Sequence, residues 1–273
     1  TAVFAGLLTK VGVYAMVRTE TLLFPGDRIN TLLMVVAGLT MLVGILGALA
    51  QTDIKRMLSF TLVSHIGYMV FGLAVASVVG IGAAVFYVVH HITVQTSLFL
   101  VTGLIERRGG TANMDRLGGL ARLSPLLAVL YFIPAINLAG IPPFSGFLGK
   151  LGLMQAGVEL GTPLAYVLVA ASVLTSLLTL LVMARVWNRA FWRTPEDAVH
   201  PDPILLATTT DGSTVRDSGN VSGQSNGRFG GRSTVNLLPK SMVYPTVGLV
   251  ALGVSLTILA GPLFSLSDDA AQD

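Results

Sequence analysis

The sequence predicts an all-α polytopic membrane protein of about seven transmembrane helices, one of them broken. Three observations carry this. The 273 residues are 53% hydrophobic and only 11% charged, whereas a soluble domain carries about a quarter charged residues; mean hydropathy is +0.76. The apolar residues fall into runs of about 20, the length of a spanning helix. One of those runs holds "GIPPFSGFLGKLGLM" at 140–154, two prolines and then a lysine inside an apolar stretch. Backbone polar groups in lipid are satisfied only in helices or closed barrels, and these runs are too long and too continuously apolar for barrel strands.

The candidate spans, in order, are 2–17, 30–50, 57–79, 82–105, 125–156, 163–186 and 243–263. The first opens at Thr1 with no basic segment before it, which reads as a chain whose N-terminal part lies upstream. Spans one to six fill 1–193, and the broken one is 125–156. There Pro142 and Pro143 remove two backbone donors, while Gly140 and Gly146 let the chain bend. Such a break persists at membrane depth where it lines a cavity or is covered by protein, and it leaves half-helix ends with partial charges. Residues 194–240, with "TTTDGSTVRDSGNVSGQSNGRFGGRST", lack the apolar residues to bury themselves and read as a flexible loop. A last membrane helix at 241–265 and a tail at 266–273 complete the chain.

Charge sets the expected orientation. Thirteen of the seventeen lysines and arginines lie in loops 51–56, 106–124 and 185–242, against Arg18 and Arg28 on the opposite side. The positive-inside rule places the first face, with the long loop, in the cytoplasm and the acidic tail "SLSDDAAQD" outside. The basic balance is thus a topology signal rather than a nucleic-acid footprint. With no cysteine, disulfides, thiolate metal sites and Cys nucleophiles are excluded.

Five ionisable residues remain inside the spans: Lys10, His65, His90, His91 and Lys150; the nearest acids, Asp53, Glu106 and Glu159, sit at span ends. A charge at the bilayer centre costs about 2.5–3.5 kcal/mol on insertion scales and usually lines a polar path. Lys10 is eight residues from Arg18, about 12 Å along a helix, at the limit of snorkelling. Lys150 follows the break on its second half. Tyr87, His91 and Gln95 are spaced i, i+4, i+8 and form one polar stripe, while His90 points about 100° away. His91 reads as facing a polar lumen and His90 as making a structural hydrogen bond; His65 fits either. Metal binding is not expected, since adjacent residues on a helix diverge and no third ligand lies near. Taking an amine out of water disfavours its charged form, and imidazole titrates near neutrality already. Lys–His–His–Lys across neighbouring helices is therefore a plausible proton relay, and its missing counter-acid is expected upstream or on a partner subunit. No nucleophile–base pair, phosphate loop or metal cluster argues for an enzyme.

Four stretches in order, "AGLLTKVGVYAMVR", "QTDIKRMLSFTLVSHIGYM", "HHITVQTSLFLVTGLIE" and "LAGIPPFSGFLGKL", resemble the antiporter-like subunit family. It includes the large membrane subunits of respiratory complex I and of Mrp-type multisubunit Na+/H+ antiporters. "LLTKVGVYA" and "MARVWNRAFW" are most similar to the D-type subunits of Mrp antiporters. The resemblance covers nearly all of the chain except 194–240 and implies the second inverted repeat of a fold of about fourteen helices.

The resemblance also implies roles for single residues. By it, Lys10 is the connecting lysine between half-channels, His65 and His91 belong to the central polar axis, and Lys150 is the basic residue on the second broken helix. The related complex I subunit has a glutamate at that place, so Lys150 favours the Mrp reading. Several relatives carry a lysine where this chain has Gln95, so either the relay skips that site or His91 takes the role. The function that the resemblance implies is a proton-translocating subunit of a multisubunit Na+(cation)/H+ antiporter in a bacterial plasma membrane. It would hold no cofactor and would work with other membrane subunits, the lipid bilayer, protons and Na+. The alternatives are a proton-pumping subunit of NADH-quinone oxidoreductase or a membrane hydrogenase, and a structural scaffold with a vestigial channel.

Overall fold

The computed structural model of the chain describes residues 4–23, 29–200, 238–263 and 266. Helix α1 (Thr9–Leu23) follows a wider π-helical turn at Phe4–Leu8. It runs past the expected end at 17 because "RTETLL" contains neither glycine nor proline to stop it. Glu20, outside the span expected from sequence, is thereby brought into a helix and is buried. Helix α2 (Asn30–Leu49) matches its expected span. Helix α3 (Ile54–Ala74) starts three residues earlier than expected, because the Asp53 side chain caps it by accepting from Arg56 N at 3.1 Å. Helix α4 (Val78–Gly109) is capped by Ser77, whose Oγ accepts from Gly80 N at 3.0 Å.

After a single turn at α5 (Leu120–Leu123), the broken element appears as α6 (Pro125–Ala139) and α7 (Ser145–Leu160). The interruption covers residues 140–144, at the predicted prolines. Pro134 lies inside α6 without ending it. Helix α8 (Pro163–Val186) is capped by Thr162 and continues into a π-helical end at Trp187–Trp192. Helix α9 (Lys240–Ile258) follows. Among the described residues, α2, α3, α4, α8 with its extension, and α9 are each long and apolar enough to cross a membrane. The chain is a multi-pass membrane protein.

Helices α3 and α4 are the most enclosed, and α2, α8 and α9 present apolar faces outward. Backbones of α2 and α3 approach closely through small residues: a methyl at Gly44 would meet Ser64 N at 2.4 Å, and one at Gly67 would meet Met41 N at 2.7 Å. The basic loops share one end. Ile54 N donates to Ala112 O at 3.0 Å and Met114 N to Thr52 O at 2.9 Å. Arg193 donates to the carbonyls of Met114 and Leu117, each at 2.8 Å, and Arg189 pairs with Asp115 at 2.7 Å. Residues 194–200, expected in the flexible loop, are built into this end: His200 N donates to Asp115 O at 3.1 Å, and Gly118 and Gly119 lie against Thr194 and Pro195. Residues 201–237 and the tail, except Leu266, lie outside the described residues.

The apolar interior is divided in two. One cluster, towards the basic end, includes Ile45, Met57, Leu58, Leu98, Leu138 and Val182. The other, towards the opposite end, includes Met41, Tyr68, Phe71, Tyr87, Leu153 and Leu168. The central helices pass from one cluster to the other, and the residues at the crossing are polar: Thr61, Ser64 and His65 on α3, His90 and His91 on α4, Ser172, Thr175 and Ser176 on α8. The break between α6 and α7 falls at this level. The fold thus builds a buried polar layer across its middle.

Candidate functional site

The break explains the partners of Lys150. In an uninterrupted helix the carbonyls of Leu138 and Ala139 would accept from the N–H groups four residues on. Those residues are Pro142 and Pro143, which have none. The Lys150 ammonium donates instead to Leu138 O at 3.1 Å and Ala139 O at 3.0 Å, and its third hydrogen goes to Ser176 Oγ on α8 at 3.0 Å. Ser176 Oγ in turn donates to Ala139 O at 2.8 Å. Gly140 closes α6 with φ +83, and a side chain there would also meet Lys150 Cδ at 3.0 Å. Lys150 is 2% exposed, and among the described residues no carboxylate pairs with it.

Tyr68 connects this cage to the histidines. Its ring centroid lies 5.2 Å from Lys150 Nζ, within cation–π reach, and 5.6 Å from the His65 ring. Its hydroxyl is anchored on α8, donating to Ser172 O at 2.5 Å beside Thr175 Oγ1 at 2.7 Å. The ring of His65 is 5.0 Å from that of His91, and its Nδ1 is hydrogen-bonded to the Tyr87 hydroxyl. The stripe of Tyr87, His91 and Gln95 faces α3 throughout. Tyr87 and His91 meet His65, and Gln95 Nε2 donates to Leu58 O at 2.8 Å.

His90, on another face of α4, contacts Ser145 Oγ at 3.0 Å at the start of α7. Lys10 is 4% exposed and contacts Thr9 Oγ1 at 3.2 Å. His65 Nε2, both nitrogens of His91, His90 Nε2 and Gln95 Oε1 are buried without hydrogen-bond partners among the described residues. Buried polar atoms are nearly always paired, so this concentration marks the layer as the candidate functional site.

The structure therefore gathers His65, His91, Tyr87 and Gln95 at one α3–α4 contact and Lys150 behind Tyr68. Gly140, Pro142 and Pro143 form the break, and Gly146 lies in the first turn beyond it. Asn137, Ser145, Ser176 and Thr257 were not singled out from sequence. A lone asparagine in "FIPAINLAGIPP" was the available signal for the first.

Comparison with known proteins adds to this geometry. The family described as "NADH:quinone oxidoreductase/Mrp antiporter, TM" matches residues 1–179. The chain is 45% identical over 193 residues to a protein of Alkalihalophilus pseudofirmus named as the D-type subunit of a Na(+)/H(+) antiporter, covering 70% of this chain and 38% of that one. It is 36% identical over 203 residues to the protein of the same name in Bacillus subtilis, covering 74% and 41%. Among solved structures, the Mrp complex from Dietzia sp. matches at a TM-score of 0.80 and 35% identity, over 99% of this chain and 52% of that chain. Respiratory complex I from Thermus thermophilus matches at a TM-score of 0.71 and 22% identity, over 97% and 50%, a likeness of fold alone. The aligned stretch thus spans about two fifths of the length of these curated relatives.

Proposed function

The chain belongs to the NADH:quinone oxidoreductase/Mrp antiporter transmembrane family, and from that premise we propose that it is part of a proton-translocating subunit of a multisubunit Na+(cation)/H+ antiporter. The observation that carries the reading is the caged Lys150 ammonium at the helix break, paired with no carboxylate among the described residues and one aromatic ring away from the His65–His91 pair. In this reading protons pass between Lys10 and Lys150 by way of His91 and His65. Tyr87 holds His65 and Tyr68 holds the gap to Lys150. A charge at Lys150 is stabilised by carbonyls the prolines release and by the Tyr68 ring, while the partnerless ring nitrogens accept and return protons.

The naming of the relatives as antiporter subunits supports partners among other membrane subunits and Na+ as the exchanged ion. The concentration of arginine and lysine at one end supports a cytoplasmic position for the loops at 51–56, 106–124 and 185–242, with the C-terminus outside. The 1–193 membrane unit, the 194–240 loop, the last helix at 241–265 and the tail at 266–273 remain the proposed organisation. The chain holds no cofactor in this reading.

The test uses the full-length chain with its neighbouring membrane subunits in inverted vesicles from an antiporter-deficient host. A dye follows the pH gradient. Dissipation of the gradient on adding Na+, without NADH, is expected. A gradient that forms only with NADH and ignores Na+ would instead identify a redox-driven pump.

A further inference from the structure

The break carries a second polar cluster that the relay of Lys150, His65 and His91 does not use. Asn137 on α6, Ser145 at the start of α7, His90 on α4 and Thr257 on α9 meet there, and the first three are buried. Phe144 precedes α7 and offers no side-chain cap. The first N–H groups of α7 are satisfied from other helices: Ser145 N donates to Thr257 Oγ1 and Gly146 N to Asn137 Oδ1, each at 3.0 Å.

These contacts favour one set of hydrogen positions. A backbone N–H can only donate, so the amide atom facing Gly146 N is the oxygen of Asn137. The same oxygen lies 3.3 Å from Ser145 Oγ. With that contact taken as a hydrogen bond, Ser145 supplies the hydrogen, since an amide oxygen cannot donate. The contact between Ser145 Oγ and His90 Nδ1, at 3.0 Å, is then filled by a hydrogen from the imidazole. A neutral ring with Nδ1–H carries its lone pair on Nε2. That nitrogen is buried, without a partner among the described residues, and lies against Gly146, where an added methyl would stand 3.0 Å from it.

We propose that Asn137 and Ser145 are positioning residues that hold His90 as its Nδ1–H tautomer, making His90 Nε2 a proton-accepting site on the transport path beside the helix break. The transport role rests on the antiporter reading above. A proton arriving at Nε2 gives an imidazolium whose Nδ1–H stays on Ser145, and it leaves from the same nitrogen, so the ring returns to its starting state. The other side is closed to protons: a proton passed to Ser145 would face the Asn137 amide oxygen, a poor base. A side chain at Gly146 would stand against this edge and would also run into Asn137 O, 2.0 Å away.

The experiment is 15N NMR of histidine-labelled full-length chain in its assembled complex, with His90 signals identified by their absence from His90→Gln. The wild type is expected to show a protonated Nδ1 and a bare Nε2. Ser145→Ala is expected to abolish that single tautomer and to slow antiport by about tenfold or more, with assembly unchanged; Ser145→Thr, which keeps the hydroxyl, should restore both. A wild-type ring protonated on Nε2 would overturn the proposal. So would a tautomer unchanged in Ser145→Ala, or one lost with antiport unaffected. The wild-type spectrum alone tests the tautomer. Absence of Na+-driven proton movement in the wild type would count against the antiporter reading and leave the tautomer result standing.

Discussion

The Lys150 ammonium takes the place of the N–H that Pro143 lacks, donating to the Ala139 carbonyl at 3.0 Å. It does the same for Pro142 at the Leu138 carbonyl. Each proline creates an acceptor, and the lysine on the following half-helix consumes both. The break and the buried charge are therefore one device: without the prolines the carbonyls would be spent inside the helix, and without the lysine Leu138 O would lose its donor and Ala139 O would keep only Ser176 Oγ.

The first prediction concerns that exchange. Pro143→Ala restores a donor that can compete for Ala139 O. A hydrogen bond to a charged group contributes about 1.5–3 kcal/mol, equivalent to roughly tenfold or more in rate if lost at the transport step. Antiport should fall by that order while the subunit still assembles, as checked by native gel and vesicle assay.

Gly140 combines a left-handed backbone with a side-chain position against Lys150. Gly140→Ala should therefore act twice. The backbone costs about 1–2 kcal/mol, which thermal unfolding of the purified complex would register. Displacement of the lysine should lower transport beyond what the stability loss explains.

Tyr68 separates ring from hydroxyl. Tyr68→Phe keeps the aromatic face beneath Lys150 and loses the anchor on α8; Tyr68→Leu loses both. A desolvated cation–π contact contributes about 2 kcal/mol. The leucine variant should transport clearly less than the phenylalanine variant, measured as initial rates at matched expression.

Arg193 ties together the segments at the basic end. Arg193→Ala leaves the carbonyls of Met114 and Leu117 without that donor, at a cost of about 1–3 kcal/mol. The expected outcome is a lower Tm with the antiport rate per assembled complex little changed, since Arg193 binds the basic end and touches none of the residues of the polar layer.

Much of the fold and site was legible in the sequence. The prolines located the break, the i, i+4, i+8 spacing placed Tyr87, His91 and Gln95 on one face, and the apolar runs marked the helices. His90 diverged from the stripe as its position on the helix requires. What was not legible depends on contacts between distant residues. Ser176 lies 26 positions from Lys150 and Thr175 lies 107 from Tyr68; no local pattern reports such pairs. The end of α1 was missed because Arg18 read as the edge of the span, although arginine is tolerated in a helix. Residues 194–200 read as loop because their order comes from packing against Gly118, Gly119 and Asp115.

The most direct measurement is Na+-driven proton movement in vesicles carrying the full complex, with wild type and Lys150→Ala compared at equal assembly. A caged ammonium on the proton path predicts that the Na+ response present in the wild type is lost in the variant. A full Na+ response in Lys150→Ala would contradict that role and remove Lys150 from the path.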